Sequence, residues 1–398
     1  MISKKKALYI VLVVFISTLL VATLLTYYFT RNNIESGEIY LKGEEYETLM
    51  KYFEQEDVSE IIAKNYIHEV DDQILINGSM RGIMDILDDG HSAFYTEEEY
   101  QFFDDGNDGS FIAQGMMLKL DEETDYAKVI KVFADTPAYE ASLQVGDLIK
   151  TVDGVDTGKE DLPSTLARLR GIDGTEAVLE VLSSGEEKTV TLVRRSESVQ
   201  VVYNNMVNDE IGYINVCEFS GKSTEEFAKA LEAIKKEGAK GVIIDLRGTP
   251  GGNITQVAKI ANMFLEEGNI CSSKGRESEA AKWDADADVK WTAPVAILVD
   301  GETSGVAEVF AAALQDRDRA IVLGEKTSGN VAVTSYYKIP ASGNVVKLVT
   351  AEYYTASGKK ITDVGVTPDE VVDASEIDAS SQEDAVLLQA AKRLNEQL

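Results

Sequence analysis

The chain has 398 residues, 44% of them apolar, which is enough for two or three domains with packed cores and too apolar for a disordered chain. Its 69 acidic residues outweigh 38 basic ones, and a net charge of -31 excludes nucleic acid, or an anionic lipid surface, as a partner of the bulk of the chain. Two histidines are too few for a multi-histidine metal centre, and Cys217 and Cys271 sit in apolar, strand-like contexts that read as buried thiols rather than a disulfide or redox pair.

Lys4, Lys5 and Lys6 precede an uncharged run over residues 7–30. At about 1.5 Å per residue that run can span a hydrocarbon core of roughly 30 Å, and it lacks the small-residue exit of a cleaved signal peptide. The lysines hold the N-terminus in the cytoplasm by the positive-inside rule. Residues 1–31 are therefore expected to form a cytoplasmic tip and a single-pass transmembrane anchor. The anchor would meet the lipid bilayer through residues 7–30 and leave the bulk of the chain extracytoplasmic.

Leu49, Phe53, Val58, Ile61, Ile62 and Tyr66 recur at helical spacing and predict a helix over 44–67, with a second over 74–87. A turn follows at Asp89 and Gly90, then an N-cap at Thr96 ahead of Glu97, Glu98 and Glu99. His91 reads as a structural histidine at that turn, with a catalytic base as the alternative. Residues 104–110 form a polar, glycine-bearing linker. Beyond it come short strands and one helix, LPSTLARLR, over 162–170.

The run TPAYEASLQVGDLIKTVDGVDT resembles the PDZ domain. By that resemblance the loop Ala113, Gln114, Gly115 and Met116 holds a peptide's terminal carboxylate on backbone N–H groups. The peptide then adds as a strand beside the helix carrying Leu162 and Leu166. Two glycines of the usual pattern are replaced, by Ala113 and Ser142.

From residue 210 onward strands and helices alternate: a strand over 211–219, a helix over 224–237 capped by Ser223, a buried strand running into the loop 248–252, and a helix over 254–265. This order predicts right-handed crossovers and a mostly parallel sheet, with ligand sites where the strands end, at 248–252 and 301–305. Residues 296–333 run strand, small-residue elbow, helix, strand and Gly-rich loop, a pattern that presents a residue at the start of a helix. A strand near 345, a turn at Ser357 and Gly358, and a terminal helix over 383–398 complete the chain.

In order, LDDGHSAFYTEEEY, the PDZ-like run, IIDLRGTPGGN, the elbow, GEKTSGN and TAEYYTASGKKITDVGVTPD resemble the carboxyl-terminal processing peptidases, or tail-specific proteases. The resemblance implies an α/β fold with a ClpP/crotonase-like core of mostly parallel sheet, and it places the chain in a bacterial cell membrane. The implied division is a helical N-terminal part of the core at 32–107, an inserted PDZ domain at 108–195, the protease-family core at 196–375, and a C-terminal helix at 376–398.

The resemblance also implies amide hydrolysis by a serine–lysine dyad that uses no cofactor, with a glutamine orienting the lysine and backbone N–H groups holding the oxyanion. Aligned on Glu308, the nucleophile position is Gly305, the base position Asn330 and the orienting position Thr334. The oxyanion loop is kept, with Gly251, Gly252 and Val306 as donors. Glycine cannot attack a carbonyl, and an asparagine amide is no base near neutral pH. The implied protein is a pseudopeptidase that binds polypeptide C-terminal tails, as a decoy, adaptor or regulatory subunit beside a second copy or an active relative. The alternative is a working serine endopeptidase with a displaced pair, Ser304 and Lys326. Against it, one residue at a helix start turns a side chain by about 100°, and Lys326 matches a family lysine that is not the catalytic one.

Overall fold

The computed structural model describes residues 4–36, 43–50, 52–104, 112–121, 123–159, 162–195, 199–276, 281–372 and 384–398. Its contacts divide the chain into two compact units, Met1–Ser79 and Met80–Leu398. The first is helical, with α1 (Lys4–Ser36), α2 (Gly43–Met50) and α3 (Phe53–Asn65), while α4 (Asp72–Asp85) crosses its boundary. The single helix expected over 44–67 is interrupted at Tyr52, which stands at the N-cap of α3 ahead of Glu54 and Glu56, carboxylates that favour the positive end of a helix.

Among the described residues no helix is long and apolar enough to cross a membrane. This overturns the expected transmembrane anchor, the lipid contact through residues 7–30 and the cell-membrane localisation. The linker expected over 104–110 lies, from residue 105 onward, outside the described residues.

The second unit opens with β1 (Ala93–Tyr95) and α5 (Glu97–Asp104). Thr96 starts α5 in a reciprocal capping box: its Oγ1 accepts from Glu99 N at 3.2 Å, and Glu99 Oε2 accepts from Thr96 N at 2.8 Å. Next comes a seven-stranded antiparallel sheet of β2 (Ile112–Ala113), β3 (Met116–Leu120), β4 (Ala127–Val132), β5 (Leu148–Val152), β6 (Val155–Asp156), β7 (Glu176–Ser183) and β8 (Glu186–Val193). Short α6 (Pro137–Glu140) and longer α7 (Leu162–Arg170) accompany it. Met116, Leu118, Val129, Ile149, Leu166 and Leu179 make its core.

The remaining strands and helices build the part that carries the candidate site. They are β9 (Val202–Met206), β10 (Ile211–Val216), α8 (Ser223–Lys236), β11 (Gly241–Asp245), α9 (Ile254–Asn262), β12 (Gly268–Gly275), β13 (Ala281–Ala285), β14 (Val295–Val299), α10 (Val306–Asp316), β15 (Ile321–Gly324), β16 (Val333–Lys338), β17 (Val345–Thr355), β18 (Glu370–Val371) and α11 (Ala385–Asn395). One sheet runs β18-β15-β14-β11-β10-β9, parallel as far as β10 and antiparallel at the β9 edge. Its central strands β11 and β14 are buried on both faces, so they read as apolar runs such as VAILV. Alternate residues divide between the faces: Val242, Ile244 and Ile297 pack with α8, α9 and α10, whereas Ile243, Ala296 and Leu298 pack with α11.

The third sheet, β1-β17-β12-β13 with β16 on β17, is antiparallel throughout. At the start of α8 the structure departs from expectation. Ser223 is the helix's first residue rather than its cap, lies fully buried, and its Oγ has no hydrogen-bond partner among the described residues.

Candidate active site

The elbow leaves the end of β14 through a turn built on Asp300. Its Oδ1 accepts from Gly248 N at 3.0 Å and from Glu302 N at 3.1 Å, and the buried Thr303 hydroxyl lies 2.9 Å from both that oxygen and Leu246 O. Ser304 N donates to Thr249 O, and Gly305 N to Asn330 O, each at 3.0 Å. Gly305 is the N-cap of α10 with φ 59° and ψ −143°. All residues of α10 from Val306 through Leu314 are buried, which fixes the helix and the elbow before it.

The loop 249–253 crosses directly over the elbow. Thr249 Oγ1 donates to Val216 O at 2.7 Å, and Phe219 clamps the loop by donating its N–H to Gly251 O at 2.8 Å and accepting from Asn253 N at 2.7 Å. Asn253 then caps α9 through its side chain, which accepts from Thr255 N at 2.8 Å. At the crossing, a Cβ on Gly305 would stand 2.8 Å from Pro250 O and 3.0 Å from Gly251 Cα. The space a side chain at 305 would need is occupied by the backbone of the loop. Gly251 and Val306 do meet here, since a Cβ on Gly251 would lie 3.2 Å from Val306 N, whereas the face of Gly252 that would carry a Cβ packs on the Phe219 backbone.

The second wall of the site is the loop 326–330, held by a buried carboxylate. Glu308, with no exposed surface, accepts from the Thr327 hydroxyl at 2.5 Å, Gly329 N at 2.7 Å and the Ser328 hydroxyl at 3.2 Å. Burial pushes its pKa above the ordinary glutamate value, against the pull of these donors. Asn330 is exposed, with its N–H on Ser328 Oγ at 3.1 Å. Thr334 stands half-buried on β16, opposite Val349 and beside a bulge in the β16–β17 pairing, rather than on the loop.

Ser304 is half-buried and Lys326 exposed. No hydrogen bond joins them among the described residues, so the structure brings no displaced dyad together.

His91 was read from sequence as a turn histidine, and its N–H does bond to Asp89 Oδ1 at 2.9 Å. Its ring, however, lies beside the Asn330 side chain, which acts on its pKa, so it neighbours the expected base position. Burial and the nearby Lys347 depress its pKa, while Asp89, Asn330 and Asp363 oppose them, so the imidazole is neutral at pH 7. Sequence reasoning missed this neighbourhood because no local spacing connects residues 91 and 330. The retained LDDGHS segment was the one available signal.

The other predicted residues gather elsewhere in the second unit. Ala113 pairs with Met116 across a tight turn in which Gln114 has φ 52°. The Gln114 side chain donates to Arg170 O at 3.3 Å and accepts from Arg195 N at 2.8 Å, and Arg170 donates to Ile112 O at 3.1 Å. The turn is thus tied to the end of α7, the helix carrying half-buried Leu162 and buried Leu166. Lys119 on β3 also reaches the elbow turn, forming an ion pair with Glu302 at 2.6 Å.

Residues 210–372 match the model of peptidase family S41. The chain is 30% identical over 367 residues to the carboxy-terminal processing protease CtpA of Bacillus subtilis (strain 168), covering 91% of this chain and 76% of that protein. With the carboxyl-terminal-processing protease of Synechocystis sp. it shares 32% identity over 293 residues, 72% of this chain and 68% of the other. Among solved structures, the photosystem II D1 C-terminal processing protease superposes with a TM-score of 0.60 at 22% identity, over 85% of this chain and 89% of that one.

Proposed function

The chain belongs to peptidase family S41, alongside the carboxyl-terminal processing proteases, and from that premise we propose that it binds polypeptide tails without cutting them. The observation that carries this reading is the closed nucleophile position. Gly305 offers no side chain, and the Pro250–Gly251 backbone packs where one would stand. The base position adds weight, because Asn330 supplies an amide that cannot take a hydroxyl proton. Exposed Lys326, with no bond to Ser304, lends no support to the displaced pair.

The oxyanion side of the groove keeps its shape through backbone bonds that need no catalytic residue. We read the seven-stranded sheet with α7 as a PDZ-like module. The turn at Ala113, Gln114, Gly115 and Met116 beside α7 supports capture of a terminal carboxylate with an apolar last side chain against Leu162 and Leu166.

The test uses the full chain and an unstructured polypeptide with an apolar C-terminus. Saturable binding, weakened when the terminal carboxylate is amidated, with no shortening of the polypeptide on prolonged incubation, is the expected result. Turnover that disappears in Ser304→Ala would overturn the pseudopeptidase reading. Binding indifferent to amidation would overturn the capture of termini.

A further inference from the structure

Cys217 follows β10 in the core, and Lys131 lies on β4 of the antiparallel sheet. The Lys131 Nζ donates to Cys217 Sγ at 2.8 Å, closer than ordinary nitrogen–sulfur packing. The thiol is 6% exposed, and its backbone N–H is fixed on Val201 O at 2.8 Å. The lysine is held over two rings, 5.2 Å from the Phe133 centroid and 5.0 Å from that of Tyr203. An amine nitrogen and a thiol sulfur are therefore held at contact distance by groups on both sides, in a place the groove chemistry does not use.

We propose that Lys131 and Cys217 form a peroxide-sensitive modification site, in which the oxidised sulfur is captured by the lysine amine as a sulfenamide. The thiol sulfur attacks the O–O bond of a hydroperoxide such as hydrogen peroxide, giving Cys217–SOH and water. The lone pair of deprotonated Nζ then attacks that sulfur. An S–N bond forms, the S–O bond breaks, and the hydroxide leaves as water with the second amine proton. Overall, one thiol, one amine and one hydrogen peroxide give one sulfenamide and two waters, with sulfur oxidised and peroxide reduced by two electrons. The bond would staple β4 to the segment that, two residues on, clamps the loop 249–253 through Phe219. Cys271 is the internal control: burial raises both thiols, but Cys271, fully buried on β12 and pushed up to about 12, has the Asp284 charge beside it where Cys217 has Lys131, which draws its thiol back down.

The experiment treats the folded full chain with hydrogen peroxide, then denatures, digests and weighs the peptides. The expected product is a linked pair carrying Lys131 and Cys217, about 2 Da lighter than the sum of its parts. It reverts on thiol reduction and is absent in Lys131→Arg, which keeps the charge but not the nucleophilic amine. Three results overturn the proposal: Cys217 oxidised to sulfinic acid with Lys131 free, a disulfide to Cys271, or an unmodified Cys217 at peroxide doses that convert exposed methionines to sulfoxide.

Discussion

The two walls of the site are held in different ways. The elbow and the loop 249–253 interlock through backbone groups: Ser304 N on Thr249 O, with Phe219 paired to Gly251 and Asn253. The loop 326–330 adds to its backbone bonds, such as Ser328 N on Thr303 O and Gly305 N on Asn330 O, one buried side chain, Glu308, whose carboxylate gathers Thr327, Ser328 and Gly329. Neither arrangement uses the side chains at 305, 330 and 334, the expected nucleophile, base and orienting positions. A scaffold held by backbone and by Glu308 needs no catalytic side chain at those positions to keep its shape, which is how the proposed loss of the dyad fits within an S41 fold.

The contrast is broken most severely on the backbone wall. Gly252 has φ 133°, and a Cβ there would fall 2.3 Å from Phe219 O, inside the strand-like clamp itself. Gly252→Ala is expected to lose about 3 kcal/mol or more in a urea unfolding series, because main chain rather than a flexible side chain must move. Gly305→Ser comes next, at about 1–3 kcal/mol: its Cβ meets Pro250 O at 2.8 Å, in a backbone conformation that side chains rarely adopt. If Gly305→Ser is as stable as the parent, the position is open and the main support for a closed nucleophile site is gone.

The side-chain wall predicts a smaller, pH-dependent effect. Burial raises the pKa of Glu308, so the folded chain still holds a proton that the unfolded chain has released. Stability is then greatest below the ordinary glutamate range and falls as pH rises through the folded value. Glu308→Gln removes this dependence, and urea midpoints measured from about pH 4 to about pH 8 should fall less steeply in the variant than in the parent. Equal slopes would mean that Glu308 is ionised throughout and that the loop is held by a buried charge.

How much of this was legible in the sequence follows the same division. The apolar run of β14, the small residues of the elbow and the helix after it identify themselves, because a strand buried on both faces and a wholly buried helix leave no polar periodicity to confuse. Gly305 and Asn330 could be named because the chain between Glu308 and the loop aligns without a gap. The packing of Pro250 and Gly251 over Gly305 could not, since it depends on two loops brought together by the sheet. His91 beside Asn330 was hidden for the same reason. Ser223 was misassigned because a serine ahead of TEEF has the composition of a cap, yet here it is buried inside the helix. The run over 7–30 was over-read, since apolar composition alone does not make a span.

The smallest expected effect separates the walls most cleanly. Asn330 is exposed, its backbone carbonyl rather than its side chain holds Gly305 N, and the loop around it is fixed by Glu308. Asn330→Lys replaces the amide beside His91 and should change stability by about 1 kcal/mol or less, and should produce no cleavage, because a base with no nucleophile has no proton to take. Adding it to Gly305→Ser supplies both groups of the expected dyad. Cleavage in the double variant is then expected only as far as the Pro250–Gly251 backbone yields to the new Cβ, with Thr334→Gln needed to orient the lysine. A double variant that cuts freely while losing no stability would show that the two walls are less different than their bonding makes them, and that the nucleophile position was vacant rather than filled.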